Sequence, residues 1–261
     1  MACHVIQINF SFDVPMLPNS DSAYDYEDSA EDFISSLIKN GTLIGNGTSF
    51  WHKPNVYSWI GNSLLLDILA PDSLSEWSKK SLSKLNELGC KLSDLKLDIT
   101  STNDNKPVTR PEYLVLFART SDSPISDQEG FPYNHLAIPL SDSQREEITS
   151  WTGYYNAIDT IWLGFPELEL QAYKQLAEVN SELSHAGTAI CKAIELASGI
   201  PTYYYLLRHS GCLQTESERK CPQCGEKWCL SDKDLPGFWN FEFRCDSCRL
   251  VSSWAVHFDN D

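Results

Sequence analysis

Basic residues are scarce in this sequence: 20 Lys and Arg stand against 36 Asp and Glu, a formal charge of −16 over 261 residues. The deficit runs the whole length. Residues 1–140 carry 10 basic against 18 acidic, 141–211 carry 4 against 9, and 212–261 carry 6 against 9. No segment is a basic island, which excludes the clustered phosphate-neutralising surface that tight duplex binding needs. Long apolar runs are missing too. None approaches the roughly 20 residues that span a bilayer, so no membrane partner is expected. Residues 1–6 lack a basic stretch followed by an apolar core, so no secretion signal is expected and a cytoplasmic protein is.

Catalytic motifs are absent as well. There is no phosphate-cradling glycine loop, no Gly-x-Ser-x-Gly elbow and no His-Glu-x-x-His helix. The six histidines, His4, His52, His135, His185, His209 and His257, stand apart from one another. Enzyme activity is not expected on these grounds.

What is present gathers near the end. Cys221-Pro222-Gln223-Cys224-Gly225 and Cys245-Asp246-Ser247-Cys248 are two Cys-x-x-Cys pairs separated by twenty residues, the spacing of a four-thiolate zinc site. Four sulfur ligands, Cys221, Cys224, Cys245 and Cys248, would close the tetrahedron and leave no position for water or substrate. One structural Zn2+ is expected. Cys229 is near enough to substitute for a member of the set. Disulfides would need an oxidising compartment, and Cys3, Cys90, Cys191 and Cys212 are scattered without spacing logic, so reduced thiols are expected. Around the ligands, Trp239, Phe241, Phe243 and Cys245 alternate like a strand, and Trp254, Val256 and Phe258 share one side of a second strand over 251–258. Both suit a zinc ribbon.

Upstream, residues 4–12 read as a strand. The acidic stretch 21–32 reads as the approach and first turn of a helix built on Phe33, Ile34, Leu37 and Ile38. Asn46-Gly47 suggests a tight hairpin, and 56–60 and 64–69 read as buried strands. A helix opened by Pro71-Asp72-Ser73 and ended by Gly89 follows, then strands over 92–100 and 113–118. That order suggests an α+β fold, a ferredoxin-like sandwich with an extra strand appended. Ser141 with Gln144 forms a capping box. Ile148 to Phe165 and Leu176 to Ala197 carry apolar residues at alternating three and four, which predicts a helical hairpin. Thr202-Tyr203-Tyr204-Tyr205 reads as a strand in which Tyr204 points away from its neighbours, suited either to packing or to base stacking. The expected organisation is an α+β domain over 1–140, a helical hairpin packed on it over 141–200, and a zinc-ribbon module over 201–261.

The stretch Gly199-Ile200-Pro201-Thr202-Tyr203-Tyr204-Tyr205-Leu206, followed by the two cysteine pairs, resembles an uncharacterised bacterial family described as zinc-ribbon proteins with a suggested nucleic-acid-binding role. The resemblance implies zinc on Cys221, Cys224, Cys245 and Cys248. It also suggests a nucleic-acid partner, which the acidic balance limits to weak single-strand or RNA contact, with Lys227, Arg244 and Arg249 on the ribbon as the candidates. The alternative expectation is a protein-interaction adaptor that docks through the ribbon.

Overall fold

The computed structural model describes residues 4–13, 21–63, 65, 67–100, 111–118, 123–128, 130, 133, 137–212, 214–230 and 241–258. It is a mixed α+β structure with two main sheets, each with its own core.

The first sheet is built from β1 (His4–Ser11), β2 (Leu43–Lys53), β3 (Val56–Ser63) and β4 (Lys91–Thr100). They lie in the order β2-β3-β1-β4, and every neighbouring pair is antiparallel. Helix α1 (Asp21–Lys39) joins β1 to β2, and α2 (Glu76–Glu87) joins β3 to β4. Ile6, Ile8 and Phe10 of β1 are fully buried with Phe33, Ile34 and Leu37 of α1 and Leu85 of α2. Successive side chains of a strand point to opposite faces, so Val5 belongs to the other side. The two helices also meet through buried hydroxyls, with Ser36 Oγ donating to Ser78 Oγ at 3.0 Å.

Local chemistry changes several expectations here. The stretch 21–32 lies within α1 and not before it. Asn46-Gly47 makes no turn; β2 runs through it, and its register against β3 slips between Ile44 and Thr48 as at a bulge. The glycine is required for another reason. A Cβ on Gly47 would lie 2.0 Å from the Trp59 ring, and one on Gly61 2.1 Å from it, so the two glycines make room for the indole. The described residues at 65 and 67–70 form no strand and lead into a short 3-10 turn at Pro71–Ser73, while α2 starts later, capped by Ser75.

The second sheet contains β5 (Leu114–Leu116), β6 (Ile125–Asp127), β7 (Thr202–Tyr205), β9 (Phe243–Cys245) and β10 (Leu250–Ser252), in the order β6-β5-β7-β10-β9. The strand expected to extend the first sheet, β5, belongs to this one. Its three side chains are fully buried, as suits a strand covered on both faces. β5, β7 and β10 are mutually parallel, and β6 and β9 close the edges antiparallel. β8 (Ser210–Gly211) pairs separately with β11 (His257–Phe258). The strand expected over 251–258 therefore breaks after Ser252, and Val256 is 70% exposed. β9 covers only the end of its expected run; Trp239 lies outside the described residues.

Three helices cross from β6 to β7: α3 (Asp142–Gly164), α4 (Glu169–Ala177) and α5 (Glu182–Ser198). The capping box of Ser141 and Gln144 opens α3. The expected second helix of a hairpin is two helices, because Ser181 accepts a bond from the Ser184 N–H and caps a new start. These helices cover one face of the second sheet. Tyr204 is buried with Trp151, Ile190 and Ile194, and Tyr203 and Tyr205 point to the opposite core with Val115, Phe241 and Val251. A Cβ on Gly187 would come 2.2 Å from the Tyr204 ring, which measures how closely α5 lies on β7. This sheet takes strands from before residue 140 and from after residue 200, so it crosses both boundaries expected from the sequence.

Candidate metal centre

Two tight turns bring four thiols together. In the first, the Cys221 N–H donates to the Glu226 carbonyl at 2.9 Å and the Gly225 N–H to the Cys221 carbonyl at 2.8 Å. Gly225 has φ +75°, a left-handed conformation that glycine adopts without strain. The second is the turn of the β9–β10 hairpin itself, where Cys245 pairs with Leu250. Its residue equivalent to Gly225 is Arg249, which also takes a left-handed φ, +54°, although it carries a side chain. The two turns thus share one backbone path, and each aims a pair of sulfurs at a common point.

The Sγ atoms of Cys221, Cys224, Cys245 and Cys248 all lie within 4.8 Å of one another, and Cys224 Sγ is 3.6 Å from Cys245 Sγ. Four sulfurs about 2.3 Å from a tetrahedral ion stand ~3.8 Å apart, so the set has the spacing to hold a metal ion. Cys221 and Cys245 are buried, Cys248 is half-buried and Cys224 is exposed. Burial pushes the Cys221 thiol up and the Cys248 thiol up to about 12. Burial also acts on Cys245, but hydrogen bonds from Ser247 Oγ at 3.3 Å, the Cys248 N–H and the neighbouring thiols outweigh it and bring that group down to about 7. Cys229 is not part of the set: it is buried and bridges to Phe243. No disulfide joins the eight described cysteines; Cys3 lies outside the described residues.

The second turn is clamped to the helical layer. Arg249 Nε and Nη2 each donate to the Glu195 carboxylate on α5 at 2.8 Å, and its Nη1 donates to the Asp246 carbonyl. The Arg249 hydrogen bonds hold Glu195 below its ordinary value. Tyr203 Oη donates to Asp246 Oδ1 at 2.7 Å, and burial followed by that carboxylate pushes the phenol up to about 12. Arg244 Nε lies 2.9 Å from the same Asp246 oxygen, and its guanidinium covers the Tyr113 ring. A second clamp lies behind. Glu216, 1% exposed, takes hydrogen bonds from Arg208 at 3.2 Å and from Arg219. Arg219 also donates to Ser252 Oγ and covers the Trp228 and Phe243 rings.

Of the three residues suggested for nucleic acid, Arg244 and Arg249 therefore hold carboxylates of this chain, and Lys227 is exposed in a bridge with Lys220. Sequence reading missed Glu195, fifty-four residues from Arg249, because so distant a partner leaves no local pattern. Asp246, two residues from Arg244 and three from Arg249, and Glu216, three from Arg219, were visible as local spacings.

A family model described as "Domain of unknown function (DUF2310)" matches residues 108–207, and a second, "Domain of unknown function (DUF8594)", matches 211–258. Two Haemophilus influenzae proteins, both named "Uncharacterized protein", are similar. One is 35% identical over 170 residues, covering 63% of this chain and 80% of its own length, and the other 31% identical over 199 residues, covering 74% and 75%. No solved structure matches.

Proposed function

We propose a function from one premise: the chain belongs to the DUF2310 and DUF8594 family, together with the two Haemophilus influenzae proteins. Its role is that of a cytoplasmic protein-interaction adaptor held in shape by one structural zinc ion on Cys221, Cys224, Cys245 and Cys248, with a ferredoxin-like sandwich at its front. Zinc suits a closed set of four thiolates and does no redox chemistry of its own. Bound there, it would cross-link the first turn to the β9–β10 hairpin.

The observation that carries the adaptor reading is the exposure of Tyr154, Leu163, Phe165, Leu168 and Leu170, each 43–70% accessible along α3 and the start of α4. Leu163, Phe165, Leu168 and Leu170 fall within eight residues where α3 gives way to α4, and exposed apolar side chains this close together on a chain of net charge −16 suit an interaction site. Single-stranded nucleic acid would rely on Lys220 and Lys227, and two contacts support only weak binding with a shallow salt dependence. Native mass spectrometry should find one zinc per chain, lost in Cys224→Ser. A folded metal-free chain, iron in place of zinc, or a Cys221–Cys224 disulfide in freshly reduced protein would refute the zinc assignment. For the adaptor role, affinity capture should recover partner proteins with the native chain and lose them with Leu163→Asp/Leu170→Asp. Identical recovery by both, or RNA binding at physiological salt, would contradict it.

A further inference from the structure

Helices α3 and α5 do not close against each other along their outer side. An open groove of about 680 Å³ runs between them, its floor formed by Trp151, Ile158, Leu183 and Ile190. Trp151 is fixed there, its indole N–H donating to the Leu183 carbonyl at 3.1 Å. Small side chains at Ala186 and Ala189 open the α5 wall, and Tyr154 stands 66% exposed on the α3 wall. Charge on the rim has one sign: Glu146, Glu147 and Glu182 line it, and among the described residues no Lys or Arg does. The α3 wall runs from Ser143 to Ile158, about 22 Å at 1.5 Å per residue.

Resting on the adaptor reading, we propose that this groove receives an amphipathic helix of a partner protein, apolar along one face and carrying Lys or Arg along its margins. The walls are helices whose backbone groups are bonded internally, so they offer an extended peptide no hydrogen bonds and would leave its N–H and C=O groups unpaired. A helix brings its own backbone bonds and needs only an apolar trough. About four turns fit the length. The Glu rim selects a cationic partner and disfavours acidic peptides, nucleic acid and a second copy of this chain, whose net charge is −16. Tyr154 supplies the exposed aromatic anchor such interfaces concentrate on.

A fluorescein-labelled 16-residue Leu/Lys peptide of helical repeat, followed by anisotropy with the zinc-loaded full chain, tests this beside a Leu/Glu peptide of the same pattern. The Lys peptide should bind more weakly as salt rises, and the Glu peptide should not bind. Ala186→Trp, which fills the trough from an exposed position, and Glu146→Lys/Glu147→Lys, which reverses the rim, should each weaken binding at least tenfold while circular dichroism stays native. Unchanged affinity in both folded variants, or equal binding of the Glu peptide, overturns the proposal. So does a concentration-dependent dimer in sedimentation that Ala186→Trp abolishes, which would assign the groove to a second copy. If the groove variants leave peptide binding unchanged while Leu163→Asp/Leu170→Asp still abolishes partner capture, the proposal falls and the adaptor role stands. If neither set of variants alters partner capture, both fall.

Discussion

Arg249 is held in a conformation natural to glycine, and replacing it separates two opposing effects. A left-handed φ costs a residue with a side chain about 1–2 kcal/mol. Against that stand the paired bonds to Glu195 and the contact of the guanidinium with the Tyr203 ring at 5.4 Å. Arg249 and Glu195 are 34% and 31% exposed, so solvent screens the pair and it contributes about 1 kcal/mol. The ring contact adds about 0.5 kcal/mol. Arg249→Ala keeps the backbone strain and loses both contacts, an expected loss of about 1–2 kcal/mol. Arg249→Gly loses the same contacts but relieves the strain, so it should fall within about 0.5 kcal/mol of the native chain. For a protein of this size the resulting gap of about 1 kcal/mol between the variants corresponds to roughly 2–4 °C in Tm. Thermal unfolding of the metal-loaded protein, followed by circular dichroism, measures it. Glu195→Gln should lie between the native chain and Arg249→Ala. An alanine variant as stable as the glycine variant would show that residue 249 is not strained and that the likeness of the two turns is accidental.

A chain ending at Gly199 loses β7, β9 and β10 and uncovers one side of β5, where Leu114, Val115 and Leu116 are fully buried; it should be insoluble, and a soluble product with native near-ultraviolet dichroism would contradict the sheet order. Glu216→Ala leaves Arg208 and Arg219 facing an empty position and should lower stability by about 3–5 kcal/mol in urea denaturation, whereas a change below about 1 kcal/mol would show that Glu216 does not hold the two arginines as a clamp. Gly187→Ala drives a methyl group into the Tyr204 ring and should cost about 1–3 kcal/mol; an unchanged midpoint would mean that α5 lies farther from β7.

The elements legible in the sequence were those written by local chemistry. The capping box at Ser141 and the period-two pattern of β1 each need only neighbouring residues, and each stands where expected. The meeting of Cys221, Cys224, Cys245 and Cys248 was legible for a similar reason, since each pair fixes its own turn. Expectations failed where a distant partner decided. Gly47 looked like a turn residue because the ring it accommodates, Trp59, lies on another strand. β5 looked like an addition to the first sheet because β7, to which it pairs in parallel, is almost ninety residues away. Arg249 looked free to meet a ligand because Glu195, fifty-four residues away, becomes its partner only in the folded chain.

The position of β7 also sets a timetable for synthesis. It sits in the middle of its sheet, with one side paired to β5, made earlier, and the other to β10, which leaves the ribosome roughly fifty residues later. At 5–20 residues per second that interval is about 3–10 s. For that time the backbone N–H groups of Tyr204 and Leu206, which later bond to the carbonyls of Arg249 and Val251, face outward on an open edge. The first sheet, whose four strands all precede residue 101, is complete well before then. A nascent chain stalled between these two points would therefore carry one finished half and one adhesive edge, which makes this stretch of translation the part of the protein's life that most needs a chaperone.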